Sequence, residues 1–535
     1  MDPGEMTTRA LLNCLIREVA EPERQVADDG DYVRIRLPRS GRLLRARLRR
    51  PSAGIGPRLT GEAEELAGSG GPAGPPGGAA CWRSVGWSEL AELVAAELTL
   101  ATGVQNPEFT VQVRDSHAAM TAARTGDRRT CEDTWVARYI ASEQSLAAGH
   151  PFHPAPKSRP GDSGQWLRYA PEAGARFPLR FLAIREDAVA QAGDLSALDA
   201  LLSGGPQAPP GYTVLPAHPW QFRMLSDDDW LRRALRDRLM LDLGPGGNQV
   251  AATSSVRTVY DPATDVFCKF SLAVRITNCV RTSAWYELDA SVLLTELLTR
   301  MLDGVAVLGE PGYRTVAAPS RRCYEGLSVL VRDGLRPQVH GDSVPLLAGS
   351  LAEHGPETGD PIGWWRAYLA ATIPPVLTAF FTHGVVLEPH LQNVLICVGP
   401  DGMPVRAVFR DLEGVKLVRG QHDELLRALP EAAASRLGYD TERGWNRVAY
   451  CLFVNHLDQI AAALADGRPG IEQDLWDAAR DAVTDCAREL GWPPRLRALI
   501  AGVPLPAKAN LRTRWSRAAD REAGYIPVRN PLGRW

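Results

Sequence analysis

Lysine is almost absent. Of 60 basic residues only four are lysine: Lys157, Lys269, Lys416 and Lys508. Arginine supplies the plain surface charge, so a lysine kept against that usage marks a place where a compact ammonium fits and a planar guanidinium fork does not. Paired cysteines are lacking too. The nine cysteines lie singly between Cys14 and Cys486 with no C-x-x-C, which speaks against both a zinc ribbon and a disulfide framework. No apolar run reaches the roughly 20 residues of a membrane helix. The opening MDPGEMTTRALLNCLIREV is acidic and has no signal-type apolar core. A cytoplasmic protein without a membrane partner is the expectation. The net charge of −3 gives no global field for nucleic acid, so none is expected as a partner. There is no G-x-x-x-x-G-K-[ST] and no Gly-Lys dipeptide at all, which removes a P-loop. Solenoid-length repeats are missing as well.

What is present is an ordinary globular composition, 45% hydrophobic and 23% charged over 535 residues. That length is enough for two or three domains. Periodicity predicts an α+β chain. Helices are expected over 7–20, 87–100, 131–148 and 287–302, and through most of 422–500. The helix over 363–383 is expected to break at Pro374–Pro375. YVRIRL and RLLRARL, around PRSG, read as a hairpin, and FPLRFLAIR as a strand. Residues 51–80, rich in Gly, Pro and Ala, read as a disordered surface insertion.

Three stretches carry chemistry. In TSSVRTVYDPATDVFCKFSLAVRITNCVRT (253–282), two strands are expected, Ser255–Tyr260 and Val266–Ile276. Ser255, Arg257, Thr258, Lys269, Thr277, Asn278 and Arg281 bring two guanidiniums, one ammonium and small donors together, a set suited to an anion with many oxygens. In GHPFHPAPKSRPG, prolines stiffen a loop bearing His150, His153, Lys157 and Arg159. No third ligand lies nearby in sequence, so hydrogen-bonding histidines fit better than a metal site. In LPAHPWQ, His218 and Trp220 read as packing residues. In EPHLQNVLICVGPDGMPVRAVFRDLEG, Glu388 and Asn393 have the D-x-x-x-x-N spacing of a kinase catalytic loop, and Asp411 ends the following hairpin where a kinase holds magnesium. Glu388, Asn393 and Asp411 are therefore the candidate Mg2+ ligands, with nucleotide phosphates completing the shell. His390 and Gln392 make this loop too polar for a simple connector.

Taken together, HPFHPAPKSR, LPAHPWQ, TSSVRT, KFSLAVRITNCVRT, EPHLQN and RDLEG occur in the order and spacing of the siderophore synthetases that work without a nonribosomal peptide synthetase, the IucA/IucC or aerobactin-synthetase family. The resemblance covers roughly residues 130–535. It implies a hand-like fold with a distantly kinase-like palm: thumb 1–145, fingers 146–345 and palm 346–535. It also implies an ATP- and Mg2+-dependent ligase that adenylates citrate or a related acid and passes the acyl group to an amine or alcohol, releasing AMP and pyrophosphate. A homodimer is the expected assembly. By resemblance, Ser255, Arg257, Thr258, Lys269, Asn393 and Asp411 bind ATP. His150, Thr277, Arg281, His390 and Gln392 bind the carboxylate, and Arg281, His390 and Lys269 are the catalytic set. A kinase-like phosphotransferase would use Glu388, Asn393 and Asp411 but leave the 253–282 hairpin idle. A non-catalytic chelate binder would need no nucleotide chemistry.

Overall fold

The computed structural model describes residues 2–68, 81–123, 134–159, 163–276, 279–518 and 524–533. It is a mixed helix-and-sheet architecture, as the periodicity predicts. Its first helix, Pro3–Leu15, starts with a capping box: the Asp2 carboxylate accepts from the Glu5 N–H at 3.0 Å, and the Glu5 carboxylate from the Asp2 N–H at 3.0 Å. Its apolar face, Leu11, Leu12 and Leu15, packs into one core with a five-stranded sheet that runs in chain order from Val26–Asp29 to Trp82–Ser84. The predicted hairpin is there, as Tyr32–Arg36 paired antiparallel with Leu43–Arg50.

The disordered insertion proposed for 51–80 is corrected in its first part. Residues Arg58–Leu66 form the fourth strand of that sheet, alternating Leu59, Gly61, Ala63 and Glu65 inward. Composition masked this because glycine and proline flank the strand. Residues 69–80 of that expectation lie outside the described residues.

The middle of the chain builds an eight-stranded sheet in which all pairs are antiparallel. At its centre, Val266–Phe270 lies between Thr258–Asp261 and Val329–Arg332, with Lys269 opposite Thr258 on one side and Leu330 on the other. Every residue of Val266–Phe270 is buried, so Lys269 is a cation inside an apolar strand.

The two strands expected around this point are shorter than the sequence suggests. Ser254–Arg257 is a tight turn rather than strand, and the β-branched Val256 adopts φ 66° there. That backbone region is costly for such a residue and is held where surrounding structure enforces it. The second strand stops at Phe270. The Ser271 hydroxyl accepts from the Ser283 N–H at 2.8 Å, and Leu272–Ile276 then pairs only with Cys279–Arg281 in a separate two-stranded ribbon. Arg281 thus stands on the return strand, not on the strand of Lys269.

The last third is mainly helical around a small mixed sheet. The break expected at Pro374–Pro375 does not occur: Pro361–Phe381 is one helix. Each interior proline costs about 3 kcal/mol in helix propensity. Burial of Trp364, Trp365, Tyr368, Ile373, Val376, Leu377 and Phe380 on the same helix outweighs that cost. The hairpin Val394–Val398 and Pro404–Phe409 is antiparallel and delivers the chain to Asp411.

Candidate active site

Where these units meet there is a cavity of about 1070 Å³. Ser255, Arg257, Arg281, His150, Glu388, His390, Gln392, Asn393 and Asp411 all line it. Residues far apart in sequence therefore share one cavity. Thr258 and Lys269 stand behind the lining: Thr258 is buried, its hydroxyl 3.4 Å from the Ser255 hydroxyl. Thr277 lies outside the described residues.

The floor is an alternating network of charges. The Lys269 ammonium is 2.5 Å from the Asp411 carboxylate, 3.0 Å from Glu413 and 3.6 Å from Glu310. Arg257 reaches Glu413 at 2.5 Å, and Arg332 reaches Glu310 at 2.6 Å and Asp411 at 3.3 Å. Three cations thus face three carboxylates. Burial pulls the Lys269 pKa down, but Asp411, Glu310 and Glu413 outweigh it and leave it raised. Burial pushes the Glu413 carboxyl up, yet Arg257 and Lys269 prevail and hold it at about 2. Asp411 is likewise held well below the usual carboxylate range, with Lys269 and Arg332 overcoming burial. Lys269, Arg257, Asp411 and Glu413 are thus each held in the charged form by their neighbours. Asp411 itself has φ 74°, a second strained backbone position beside Val256. Glu287, at the start of helix Trp285–Met301, faces Glu413 from the cavity wall. Burial, then repulsion by Glu413, raises it to about 7.

The 388–393 loop forms the adjoining wall and is pinned at several points. The Glu388 carboxylate pairs with Arg447 at 2.7 Å and packs so closely on Gly414 that a Cβ there would meet it at 2.5 Å. The Leu391 N–H donates to the Asn455 side-chain oxygen at 3.2 Å, and the Pro389 carbonyl lies 2.7 Å from His456 Nδ1. Asn455 and His456 belong to the π-helical stretch Tyr450–Leu457. Such local widening of a helix is frequent at functional sites. The Gln392 side chain donates to the Ser254 carbonyl at 2.7 Å, tying the loop to the strained turn. Arg410 closes the same joint, pairing with the buried Glu143 at 2.5 Å and donating to the Gln392 carbonyl at 2.8 Å.

Two histidines line the cavity, and Asn455 links them, its side chain meeting both His150 and the N–H of Leu391 next to His390. Burial lowers the His390 pKa despite Glu388 and Asp411, so the ring is neutral at pH 7. Its Nδ1 accepts from the Gln392 N–H at 3.3 Å, which leaves the proton on Nε2 as a donor. His150 is pushed down to about 3 by burial and by its cationic surroundings, His153 and Arg17. Its Nδ1 accepts from the Phe152 N–H at 3.0 Å, and Nε2 lies 3.0 Å from the Asn455 amide nitrogen. Arg159 lines the same region as Arg281. Burial, and the nearby Arg281, bring it down to about 10, and its Nε is buried without a hydrogen-bond partner. His218 packs in an aromatic cluster with Tyr169 and Phe177, as expected of LPAHPWQ.

Sequence reasoning missed Arg332, Glu310, Glu143, Arg447 and Asn455. An arginine ending the apolar run LSVLV was the one signal for Arg332. The others find their partners only through the fold. The lysines fared better. Lys157, Lys416 and Lys508 line the cavity, and Lys269 lies just beneath it.

Among the described residues, no three His, Cys, Asp or Glu side chains are grouped closely enough to hold a metal by themselves. The donors that could turn to a hard cation here are the Asn393 amide and the Asp411 and Glu413 carboxylates, which like Glu388 already carry ion pairs, so phosphate oxygens would have to complete any shell. Glu388, the third ligand expected, is committed to Arg447.

The IucA / IucC family matches residues 138–353, and the family described as ferric iron reductase FhuF-like transporter matches residues 363–523. The L-2,3-diaminopropanoate–citrate ligase of Staphylococcus aureus is 30% identical over 445 residues, 74% of this chain and 75% of that protein. The rhizobactin siderophore biosynthesis protein RhbC of Rhizobium meliloti is 27% identical over 98% of this chain and 97% of its own length. Among solved structures, ATP-bound aerobactin synthetase IucA from a hypervirulent pathotype of Klebsiella pneumoniae has a TM-score of 0.84 at 22% identity, over 100% of both chains. The petrobactin biosynthesis protein AsbB from Bacillus anthracis has a TM-score of 0.77 at 17% identity, over 98% of this chain and 95% of that one.

Proposed function

The chain belongs to the IucA/IucC family, and from that premise we propose that it is an ATP-dependent synthetase that adenylates citrate or a citrate-derived acid and joins it to an amine, releasing pyrophosphate and AMP. The observation that carries the reading is the continuity of the cavity. One end is a charged floor suited to a triphosphate, and the middle holds two guanidiniums and two neutral histidines suited to a polycarboxylate.

In the first step a carboxylate oxygen of the acid attacks the α-phosphorus. The acyl–O–P bond forms, and the bond to pyrophosphate breaks with its electron pair leaving on pyrophosphate. Arg257 and Lys269 supply fixed positive charge to the phosphates, and Ser255 and Thr258 offer hydroxyls beside them. Preorganised cations in a dry site are the main device by which such a transition state is stabilised. Asp411, Glu413 and Asn393 would hold Mg2+, which neutralises charge on the leaving pyrophosphate. Glu388 would join that shell only by leaving Arg447, so its role here is to fix the loop. Arg281, with Arg159 beside it, binds the acid's spare carboxylates through guanidinium forks. His390 donates its Nε2–H to the acid, and Gln392 and His150 complete the pocket. In the second step the amine nitrogen attacks the acyl carbon and AMP leaves.

The test is nucleotide product analysis with ATP, Mg2+ and citrate. AMP and pyrophosphate should form, and hydroxylamine should trap the activated acyl group. ADP as the sole nucleotide product would replace this reading by the phosphotransferase.

A further inference from the structure

The cavity does not end at the histidines. It runs on to an open mouth between the first helix and the loop that leads to His150. Arg9 and Asn13 lie one turn apart on helix Pro3–Leu15 and both line it. Asn13 donates its side-chain N–H to the Pro151 carbonyl at 3.1 Å, which places this helix face directly on the His150 loop. Across from it Glu353 accepts, through one carboxylate oxygen, from the Ala147 N–H at 3.1 Å and the Ala148 N–H at 3.3 Å. Its other oxygen has no hydrogen-bond partner among the described residues. Arg9 makes no hydrogen bond or ion pair among the described residues either. The charges that act on it most are Glu353, which attracts, and Arg49, which repels.

The remaining charges at the mouth are uneven. Arg49 is paired with Asp466 at 2.8 Å on the exposed rim. Among the described residues Arg468 donates only to the carbonyls of Leu464 and Thr358. Arg50 and Arg58 are held by Glu472 and Asp458. Uncommitted positive charge therefore exceeds uncommitted negative charge, and one carboxylate oxygen stands beside it. That is a poor site for a polyamine, which is cationic throughout. It is a good one for a group with an anionic and a cationic end.

We propose that the mouth is the acceptor subsite and takes the zwitterionic head of a diamino acid, its carboxylate on Arg9 and its α-ammonium on Glu353. The inference rests on the adenylating reading above and names the substrate class that reading leaves open. With nucleotide on the charged floor and the acid between the guanidiniums and histidines, the mouth is left to the acceptor. Its distal amine, as the free base, forms the C–N bond with the acyl carbon. The acyl C–O bond to the adenylate breaks, AMP leaves with the electron pair, and the surplus nitrogen proton passes to water at the mouth. An amino acid held by its head presents its side-chain amine to the acyl group, whereas the corresponding diamine has nothing for Arg9 to hold.

The experiment measures amide formation with matched pairs: ornithine against putrescine, diaminopropanoate against ethylenediamine, with spermidine as the polyamine. Wild-type protein should favour the amino acid of the best pair by at least about tenfold in kcat/KM, as one charge-assisted, bidentate contact warrants. Arg9→Gln should raise the KM for the amino acid by about the same factor and erase the preference, with the KM for ATP and for the acid little moved. Equal use of diamine and amino acid by wild type, or preference for spermidine, overturns the proposal. So does a rise in all three KM values in Arg9→Gln, which would make Arg9 structural. Should that variant fail to fold, the wild-type preference together with Glu353→Gln decides. Hydroxylamine trapping by wild type without any amino acid preference defeats this inference alone. Absence of trapping defeats the adenylating reading beneath it.

Discussion

Replacing Lys269 by methionine removes one charge from the floor and keeps most of the volume. The ammonium lies 2.5 Å from Asp411 and 3.0 Å from Glu413 in a residue only 2% exposed. At an effective dielectric of about 20, unit charges about 4 Å apart, the ammonium just behind the lining and a phosphate oxygen in front of it, interact by on the order of 4 kcal/mol. A phosphate oxygen in the transition state loses that contact, while Arg257 and Arg332 remain and compensate in part. A residual penalty of about 3–4 kcal/mol corresponds to a fall of roughly 10²–10³ in kcat. The same substitution leaves the acids of the floor with two cations for three carboxylates. Removing one partner of a buried pair costs up to about 3–5 kcal/mol, reduced here because Arg257 and Arg332 still reach all three acids. The stability deficit should have a pH signature. Glu413 is held at about 2 against an ordinary 4.5. A carboxylate so depressed contributes stability that is fully present above its unfolded value and lost as pH falls through its folded value. The gap between wild type and Lys269→Met should therefore be widest near neutrality and close between about pH 4.5 and 2. Pyrophosphate release and denaturant melts across pH measure both effects. Turnover within about threefold of wild type, or a stability gap indifferent to pH, would refute the assignment of this floor to the phosphates.

Three further outcomes follow from the same geometry. Arg281→Lys keeps the charge and loses the fork, so the KM for the acid should rise by about tenfold or more while that for ATP stays; a change in the ATP value alone would move Arg281 to the nucleotide. Asn455→Ala frees the Leu391 N–H that it accepts at 3.2 Å and should lower kcat by about tenfold with little loss of stability, since one neutral hydrogen bond is worth about 1 kcal/mol; an unchanged kcat would show that the loop needs no such pin. Arg58→Met abandons Asp458 and Glu472, which it meets at 2.8 Å and 2.7 Å, and should destabilise the protein by about 3–5 kcal/mol in denaturant titration; an unaltered midpoint would mean that strand Arg58–Leu66 adds nothing to the junction.

The features legible in sequence were those written within a few residues. Period-two alternation marked the Val266 stretch as a strand, and the scarcity of lysine singled out Lys269 within it. The polar run from Glu388 to Asn393 marked a loop that lines the cavity, and a turn signal led to Asp411. What stayed hidden depended on partners distant along the chain. Arg58 sits in a stretch whose composition reads as loop, and its acids lie some four hundred residues away. Asn455 and Arg447 are ordinary helix residues until the fold sets them against the 388–393 loop. Pro374 and Pro375 obey local rules that the burial of a long aromatic face overrides. The end of the Lys269 strand was misplaced because Ser271 and Ser283, which decide it, signal nothing individually.

The lysines have a chemical consequence. An acyl-adenylate reacts with free primary amines wherever it meets them, and an enzyme that makes one is its own nearest target. A guanidinium, protonated at every physiological pH, does not compete. None of the four ε-amines here stands on the exposed surface. Lys269 is locked among carboxylates, Lys157 is paired with Glu172 at 2.7 Å, Lys416 donates to the Glu413 carbonyl at 2.6 Å, and Lys508 lies over the Tyr450 ring. The outer surface therefore offers an escaping intermediate no lysine to modify. For the same reason an amine-directed label applied to the folded protein can find a lysine only at the cavity.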